Sequence, residues 1–422
     1  MQKHLRLLTV TLEYPPPSFG GYEVMCAQVC TWLKRRGHEV LVLTALPQEP
    51  GIVLADVDED EGAVPVRRIL RSYWDGSANL DPPFQEALAI EQHNQVQMQE
   101  VLAAFHPDVV AFWHMGDLSL GLIMTTARRG FPLIFVIGDD WLCYGGWADA
   151  WLRWCNEHPE EAPSIERRTR LPTRLPDLGT LGAFCFVSAW TKRRAEQIGG
   201  WRFPNAQIIP PGLSPTEFPA LVQASERPWR WRLLWVGRVI EEKGIETAIH
   251  ALSFLPRNAT LQIVGMVDPA YRHHLEALAA TLGIASRLSF SLASRQQVRQ
   301  HYQLADVTLF TSMIEHEAFG LVPLEAMASG CPVIATDVGG SSEYCLDGVN
   351  CLRVPPGDPA ALARAAQQMA QSGDLRRRLV EGGLRTAGAF TLDRHNRHRA
   401  LPSGRFKFAS SVTRAIICTT IH

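Results

Sequence analysis

The sequence predicts an α/β protein with two doubly wound domains, each built on a parallel sheet. Buried-strand patterns and helix patterns alternate along most of the chain, which is typical of parallel sheets with helices on both faces. The 422 residues suffice for two domains of ordinary size. Residues 204–228 hold six prolines and predict a linker between the two runs.

Composition and charge exclude several other classes of protein. Apolar residues make up 46% of the chain and charged residues 20%, so a packed core is expected. The net charge of −2 offers no argument for nucleic acid binding. Nine cysteines without a C-x-x-C pair predict reduced thiols in a cytoplasmic protein, with no disulfide framework or metal site. No apolar run reaches the length of a membrane span, although peripheral membrane contact stays open.

The first half begins with a strand and then alternates between strand and helix patterns. The apolar N-terminal run ends in Glu13 and three prolines, which indicates a strand and not a signal peptide. Strands are predicted at 5–11, 38–44, 64–70, 108–113, 132–137, 183–187 and 207–209, and helices at 22–36, 83–105, 118–129 and 190–198. Ser188 is the predicted N-cap of the last of these helices.

A glycine pair, Gly20 and Gly21, lies in the loop between the first strand and the first helix. Glycines at such a turn let backbone N–H groups approach a phosphate closely, and a plain tight turn is the alternative. The pair is not part of a G-x-G-x-x-G fingerprint, which counts against a nicotinamide-dependent enzyme.

The second half repeats the alternation after the linker. Strands are predicted at 231–238, 261–265, 288–292, 306–311, 333–336 and 350–354, and helices at 245–255, 271–282, 296–304, 321–329, 359–371 and 374–384. Arg238 and Lys243 follow the first of these strands. A guanidinium fork and a mobile ammonium suit phosphate oxygens, whereas a surface charge pair beside Glu241 and Glu242 is the alternative.

Two carboxylates, Glu317 and Glu325, stand eight positions apart around a strand-to-helix loop. Phe319, Gly320 and Leu321 lie between them, and Gly320 is predicted to open the helix. Helix N-terminal N–H groups suit a phosphate, whereas carboxylates suit sugar hydroxyls. This loop therefore predicts a nucleotide-sugar site, although a solvated helix residue and an ordinary loop carboxylate are the alternative.

The stretch around Glu325 closely resembles the signature of the retaining glycosyltransferases of family 4. The matching residues are Glu317, Glu325-Ala326-Met327-Ala328, Gly330, Pro332-Val333, Ala335 and Gly339-Gly340. The resemblance implies a GT-B fold, with two Rossmann-like domains facing across a cleft. It implies a donor site made of Gly20, Gly21, Arg238, Lys243, Glu317, Phe319, Gly320, Leu321 and Glu325, in which Glu317 binds the transferred sugar and Glu325 the ribose.

The chain departs from this family at its histidines. Members usually carry one after the strand that matches 108–113 and another after the strand that matches 132–137. Here Gly138 stands at the second position, and His114 lies one place from the first. His114, Asp139 and Asp140 are predicted at the carboxyl edge of the sheet, where a carboxylate can bind hydroxyls or act as a base. A structural role for His114 is the alternative.

The resulting hypothesis is a retaining, metal-independent glycosyltransferase without a cofactor. Its predicted catalytic residues are Arg238, Lys243, Glu317, Asp139 and His114. Its predicted partners are a nucleoside diphosphate sugar and a sugar, lipid or small-molecule acceptor. A non-catalytic nucleotide-sugar binding protein and a nucleotide-sugar epimerase are the alternatives.

The predicted domains span residues 1–212 on the acceptor side and 231–390 on the donor side, joined by a linker at 213–230. Residues 144–176 are interpreted as an irregular acceptor-side insertion. The tail at 391–422 is atypical in composition, and a shifted reading frame or a disordered extension is hypothesised there.

Overall fold

A computed structural model describes residues 4–16, 20–46, 63–74, 79–213, 217–219, 228–315 and 317–390. The chain divides into two compact units, the first running to Pro210 and the second beginning at Pro211. The predicted tail and most of the predicted linker lie outside the described residues.

The first unit is a parallel sheet of seven strands with helices between them. Its strands are β1 (Arg6–Thr11), β2 (Glu39–Ala45), β3 (Val66–Leu70), β4 (Val109–Phe112), β5 (Leu133–Ile137), β6 (Ala183–Phe186) and β7 (Ala206–Ile208). Its helices are α1 (Gly21–Arg35), α2 (Phe84–Phe105), α3 (Gly121–Arg128), α4 (Trp141–Ala148), α5 (Ala150–Glu157), α6 (Ala162–Thr169) and α7 (Ala189–Gln197). The strand order is β3-β2-β1-β4-β5-β6-β7.

Buried apolar side chains on both faces of this sheet explain the uninterrupted apolar runs in its strands. Leu8 of β1 lies opposite Leu41 of β2 and Val110 of β4, and Leu8 and Val110 are fully buried. The strand order reverses between β1 and β4, because β2 and β3 continue to one side and β5 to β7 to the other. Ligands of open α/β sheets bind beyond the carboxyl ends of the strands at such a reversal.

The second unit is a parallel sheet of six strands. Its strands are β8 (Arg232–Val236), β9 (Thr260–Val264), β10 (Leu288–Ser291), β11 (Val307–Phe310), β12 (Val333–Thr336) and β13 (Leu352–Val354). Its helices are α8 (Ile245–Ser253), α9 (Pro269–Thr281), α10 (Arg295–Leu304), α11 (Leu321–Ala328), α12 (Pro359–Gln371) and α13 (Gly373–Ala389). The order β10-β9-β8-β11-β12-β13 reverses between β8 and β11.

The prediction of an irregular segment at 144–176 is wrong, because most of that segment is helical. Helices α5 and α6 and most of α4 fall within it. Trp151 is fully buried in the core of the first unit, and its Nε1 donates to the carbonyl oxygen of Pro172 at 2.7 Å. Asp149 caps α5 by accepting from the Leu152 N–H at 2.9 Å. Gly145 and Gly146 weaken α4, which is nevertheless helical and buries Trp141 and Leu142.

Other elements agree with their predicted bounds to within about three residues, apart from α13, which continues to Ala389 where the sequence predicts an end at 384. Within the described part of the chain, no helix combines the length and apolarity that a membrane crossing requires.

Candidate active site

Lys243 and Glu317 form an ion pair in the second unit, on the loops that follow β8 and β11, between which the strand order reverses. Lys243 ends a short 3₁₀ turn after β8, and Glu317 lies on the loop after β11. The Lys243 Nζ donates to Glu317 Oε2 at 2.7 Å, and the Ser312 hydroxyl donates to the same oxygen at 3.0 Å. Their side chains are only 23% and 12% exposed, so water screens this pair less than a surface pair.

The turn that carries Lys243 is fixed against the end of β11. The Thr311 hydroxyl donates to the Lys243 carbonyl oxygen at 3.0 Å and accepts from Trp235 Nε1 at 2.9 Å. Gly244 follows with φ of +65°, and a Cβ on it would lie 2.1 Å from the Thr311 carbonyl oxygen. Only glycine fits at this position, so the ammonium is placed by backbone packing.

The backbone of Glu317 is held by Gly339 and Gly340, the two glycines of the family 4 signature. The Gly340 N–H donates to the Glu317 carbonyl oxygen at 2.7 Å. Gly339 has a φ of +56°, and a Cβ there would lie 2.1 Å from that same oxygen. The close approach of these two loops therefore depends on the absence of a side chain at residue 339.

Gly320 opens α11, as the sequence predicts, with φ of +76°. Its carbonyl oxygen accepts a hydrogen bond from the Tyr344 hydroxyl, and the buried Phe319 ring stacks on Tyr344 with centroids 5.0 Å apart. The N–H groups of Leu321 and Val322, in the first turn, have no acceptor within the helix and can bind an anion.

Glu325 lies in the second turn of α11 and is only 5% exposed. Its Oε2 accepts from the Tyr302 hydroxyl at 2.9 Å, and its Oε1 lies 3.1 Å from Arg295 Nη1. Burial raises the pKa of Glu325, while the Arg295 charge and the Tyr302 hydrogen bond act in the opposite direction. Sequence reasoning identified Glu325 but neither of these partners.

Arg238 is exposed on the loop after β8 and takes no part in the ion pair between Lys243 and Glu317. Within the residues that the structure describes, its guanidinium makes no hydrogen bond or ion pair. The two members of the predicted phosphate clamp thus differ, because Lys243 is held by Glu317 and Arg238 extends into solvent.

His114 occupies the strand reversal of the first unit, where it lies between two carboxylates. Its Nε2 is 3.2 Å from Asp139 Oδ2, and its Nδ1 is 3.4 Å from Glu23 Oε1. The Tyr144 hydroxyl donates to Asp139 Oδ2 at 3.2 Å. The Leu12 N–H donates to the His114 carbonyl oxygen at 2.7 Å, which ties the loop after β4 to the end of β1.

These carboxylates determine the charge of the imidazole. Burial alone lowers the pKa of His114, but Asp139 and Glu23 outweigh it and raise that pKa to about 9. Burial raises the pKa of Asp139, and the positive His114 opposes it. His114 is therefore an imidazolium at neutral pH, which suits a hydrogen-bond donor and not a general base.

Tyr22 fills the space beside Gly138, the position at which the family usually carries a histidine. A Cβ on Gly138 would lie 2.5 Å from Tyr22 Cδ2, and the Tyr22 hydroxyl donates to the Val136 carbonyl oxygen. The Tyr22 ring also packs against His114, with centroids 5.7 Å apart. The missing histidine thus coincides with a tyrosine contributed by α1.

The remaining predicted residues of the first unit lie around this cluster. Gly20 precedes α1 and Gly21 begins it, and a Cβ on Gly20 would lie 1.9 Å from Glu23 Oε2. Asp140 forms a separate ion pair with Arg194, whose Nε donates to Asp140 Oδ2 at 2.8 Å. Asp139 and Asp140, adjacent in sequence, therefore have different partners.

Two doubly wound units in one chain, each with polar side chains where its strand order reverses, are the architecture of the GT-B fold. The family model "Glycosyl transferase 4-like domain" matches residues 20–212, and the model "Glycosyl transferases group 1" matches residues 222–386. The chain therefore belongs to the group 1 glycosyltransferases, of the family 4 kind that the sequence predicts.

Similar proteins agree with this assignment. The chain is similar to an uncharacterized glycosyltransferase of Methanocaldococcus jannaschii, with 27% identity over 379 residues, 85% of this chain and 87% of that protein. It is similar in fold to sucrose-phosphate synthase from Thermosynechococcus elongatus, with a TM-score of 0.69, 21% identity and coverage of 92% and 95%. It is also similar in fold to Anabaena Alr3699/HepE, solved with UDP and glucose, with a TM-score of 0.64, 18% identity and coverage of 92% and 96%.

Proposed function

We propose that this glycosyltransferase moves a sugar from a nucleoside diphosphate sugar to an acceptor hydroxyl, with the anomeric configuration retained and without a metal ion. The contact that supports this most directly is the 2.7 Å ion pair between Lys243 and Glu317. In this proposal the Lys243 ammonium binds the diphosphate and the Glu317 carboxylate binds sugar hydroxyls, on the loop that precedes α11.

The second unit supplies stabilisation for the departing diphosphate. As the bond between the anomeric carbon and the β-phosphate oxygen breaks, negative charge grows on the phosphate. Lys243, the exposed Arg238 and the first N–H groups of α11 can offset this charge. Glu317 then accepts hydrogen bonds from hydroxyls of the transferred sugar, while Glu325 accepts them from the ribose.

Retention follows if the acceptor attacks from the side that the diphosphate leaves. The acceptor oxygen forms the new bond to the anomeric carbon, and its proton passes to the departing phosphate oxygen. This route needs no protein base, which accommodates both Gly138 and a protonated His114.

The first unit supplies hydrogen-bonding groups for the acceptor in this proposal. Asp139 and Glu23 are carboxylates, and a phosphate beside them would be repelled. A hydroxyl-bearing sugar, lipid head or small molecule would instead donate to Asp139, whose side chain is 29% exposed. Gly20 lies against Glu23, so we assign Gly20 and Gly21 to the acceptor side of the reaction and not to the donor site that the family resemblance implies.

The donor screen should begin with uridine diphosphate sugars, because HepE was solved with UDP and glucose. Guanosine and adenosine diphosphate sugars complete the panel, with thermal shift as the readout, since a ligand stabilises the fold that it binds. NMR of the product made from an α-linked donor should show an α-linkage, and turnover should survive chelation by EDTA.

Each alternative function has a distinct outcome in the same assay. Donor binding without turnover on a broad acceptor panel would favour a binding protein. A changed sugar in the absence of acceptor would favour an epimerase. A β-linked product would contradict retention, and loss of turnover in EDTA would contradict metal independence.

A further inference from the structure

Helix α10 connects the predicted ribose-binding carboxylate to a segment of the predicted linker. Arg295, its first residue, lies 3.1 Å from Glu325 Oε1 through Nη1. The same guanidinium donates to Glu217 through Nε, and its Nη2 lies 3.5 Å from Glu217 Oε2. One arginine thus bridges two carboxylates that are 108 positions apart in sequence.

The segment 217–219 is anchored on this helix by apolar contacts as well. Phe218 is 2% exposed, lies under the Arg295 guanidinium at 5.1 Å and meets the Tyr302 ring edge-on at 6.1 Å. Gln303 Nε2 donates to the Pro219 carbonyl oxygen at 3.1 Å. The bridge therefore has a fixed geometry on both sides.

The charge of Glu325 depends on this bridge. Arg295 and Tyr302 face it from α10, and Glu217 faces it from the linker segment, while Cys331 lies beyond Tyr302. Burial and the Glu217 charge both favour the protonated form of Glu325, and Arg295 favours the carboxylate. A protonated carboxyl accepts fewer hydrogen bonds than the carboxylate.

We propose that Arg295 is a positioning residue for donor binding, which holds Glu325 charged and oriented to accept hydrogen bonds from both ribose hydroxyls, and that Glu217 holds Arg295 in place. This inference rests on the proposed function, because it concerns the nucleotide of the donor. It adds two residues to the site, neither of which contacts the donor in this proposal.

The test compares a nucleotide with its analogue that lacks the ribose hydroxyls. Isothermal titration calorimetry first identifies the tightest binder among UDP, GDP and ADP, and then measures its 2′,3′-dideoxy form. The full-length wild type should prefer the hydroxylated nucleotide by about tenfold or more. Arg295→Met should reduce this preference to about twofold or less, with a greater loss at pH 6 than at pH 8. Glu217→Gln should reduce it by a smaller factor.

Arg272→Met is the matched control, because Arg272 pairs with Glu276 on a half-exposed face of α9. It should keep the wild-type preference. If Arg295→Met does not fold by circular dichroism, the double variant R295M/E217Q replaces it, since this change also removes the unpaired Glu217 charge.

An unchanged preference in a folded Arg295 variant would overturn the inference, as would a wild type that does not distinguish the two nucleotides. A wild type that binds none of the three diphosphates would instead overturn the proposed function. A loss of preference confined to Arg295→Met, with an unchanged Glu217→Gln, would overturn the role given to Glu217.

Discussion

The two units place different charges at the same point of the same topology. In each sheet the order reverses between the first and fourth strands, and polar side chains gather beyond those strands. The first unit has the His114 imidazolium between Asp139 and Glu23, so negative charge is in excess. The second unit has Lys243 paired with Glu317, and Arg238 is exposed on the loop after β8.

This difference suggests how one fold serves both substrates of a transfer reaction. The carboxylates of the first unit can accept hydrogen bonds from neutral hydroxyl groups, and they repel phosphates. An ammonium beside a helix N-terminus, as in the second unit, attracts phosphates. In the proposed function, the fold supplies two equivalent positions, and the side chains on their loops decide which substrate each one takes.

The largest expected effect comes from removing the cation of the second unit. Lys243→Ala should lower kcat/KM for transfer by about 100-fold or more, because charge on the departing diphosphate loses its main partner. Steady-state kinetics with the donor identified by the screen would measure it. Lys192→Ala, which removes a lysine paired with Glu196 in the first unit, is the control. Equal turnover in wild type and Lys243→Ala would rule out the phosphate clamp.

A smaller loss of transferase activity is expected from removing the negative charge of Asp139 in the first unit. Asp139→Asn should lower transfer about tenfold to 100-fold and raise KM for the acceptor more than KM for the donor, because Asp139 is assigned to the acceptor. Asp140→Asn, which removes the charge that pairs with Arg194, should lower transfer by at most about threefold, because Asp140 is assigned no substrate contact. If Asp140→Asn proves the more harmful change, the assignment of the neighbouring carboxylates must be exchanged.

The third expected effect concerns stability. Gly138→Ala should destabilise the first unit by about 1–3 kcal/mol, because its methyl group would overlap the Tyr22 ring. Urea unfolding followed by tryptophan fluorescence would measure it, with each transition analysed separately because two units need not unfold together. Gly146→Ala is the control, since the nearest atom to its added Cβ is 3.8 Å away. Equal stability of Gly138→Ala and wild type would mean that Tyr22 moves aside readily.

The smallest expected effect concerns Glu91, a buried carboxyl of α2 in the first unit. Burial and then Asp149 raise the pKa of Glu91 from its ordinary 4.5 to about 8. Between these values the folded protein keeps a proton that the unfolded chain releases, so the free energy of unfolding falls as pH rises. Glu91→Gln removes this dependence and should raise the melting temperature at pH 8 by about 3 °C, with a smaller gain at pH 5.

Glu86→Gln is the control for that prediction, because Glu86 is exposed on the same helix. Differential scanning fluorimetry across this pH range would measure both variants. A constant gain from pH 5 to pH 8 would show that Glu91 is already ionised in the folded protein.

The sequence was sufficient to predict the fold and the loops of the second unit. Apolar runs separated by helix patterns predict the order of elements, and Gly320 marks the start of α11. The meeting of Lys243 and Glu317 follows from their positions after two strands that prove to be neighbours. The positions of such residues can be predicted from the local sequence, because their spacing and residue type are enough.

Contacts between distant side chains could not be predicted in this way. Glu23, Tyr22 and Tyr144 come from two helices, and only the packing of those helices brings them to His114. Arg295 and Glu217 likewise carry no motif. Gly145-Gly146 weakens the local signal of α4, and the burial of Trp151, which stabilises α5, appears only after folding.

The close approach of Gly339 to the Glu317 carbonyl has a consequence for mutagenesis and for engineering. In a random library selected for loss of activity, substitutions at residue 339 should be recovered as often as those at residue 317. Two positions 22 places apart in the chain thus form a single target for mutation. Redesign of sugar preference should therefore leave that glycine untouched and vary the side chains around it.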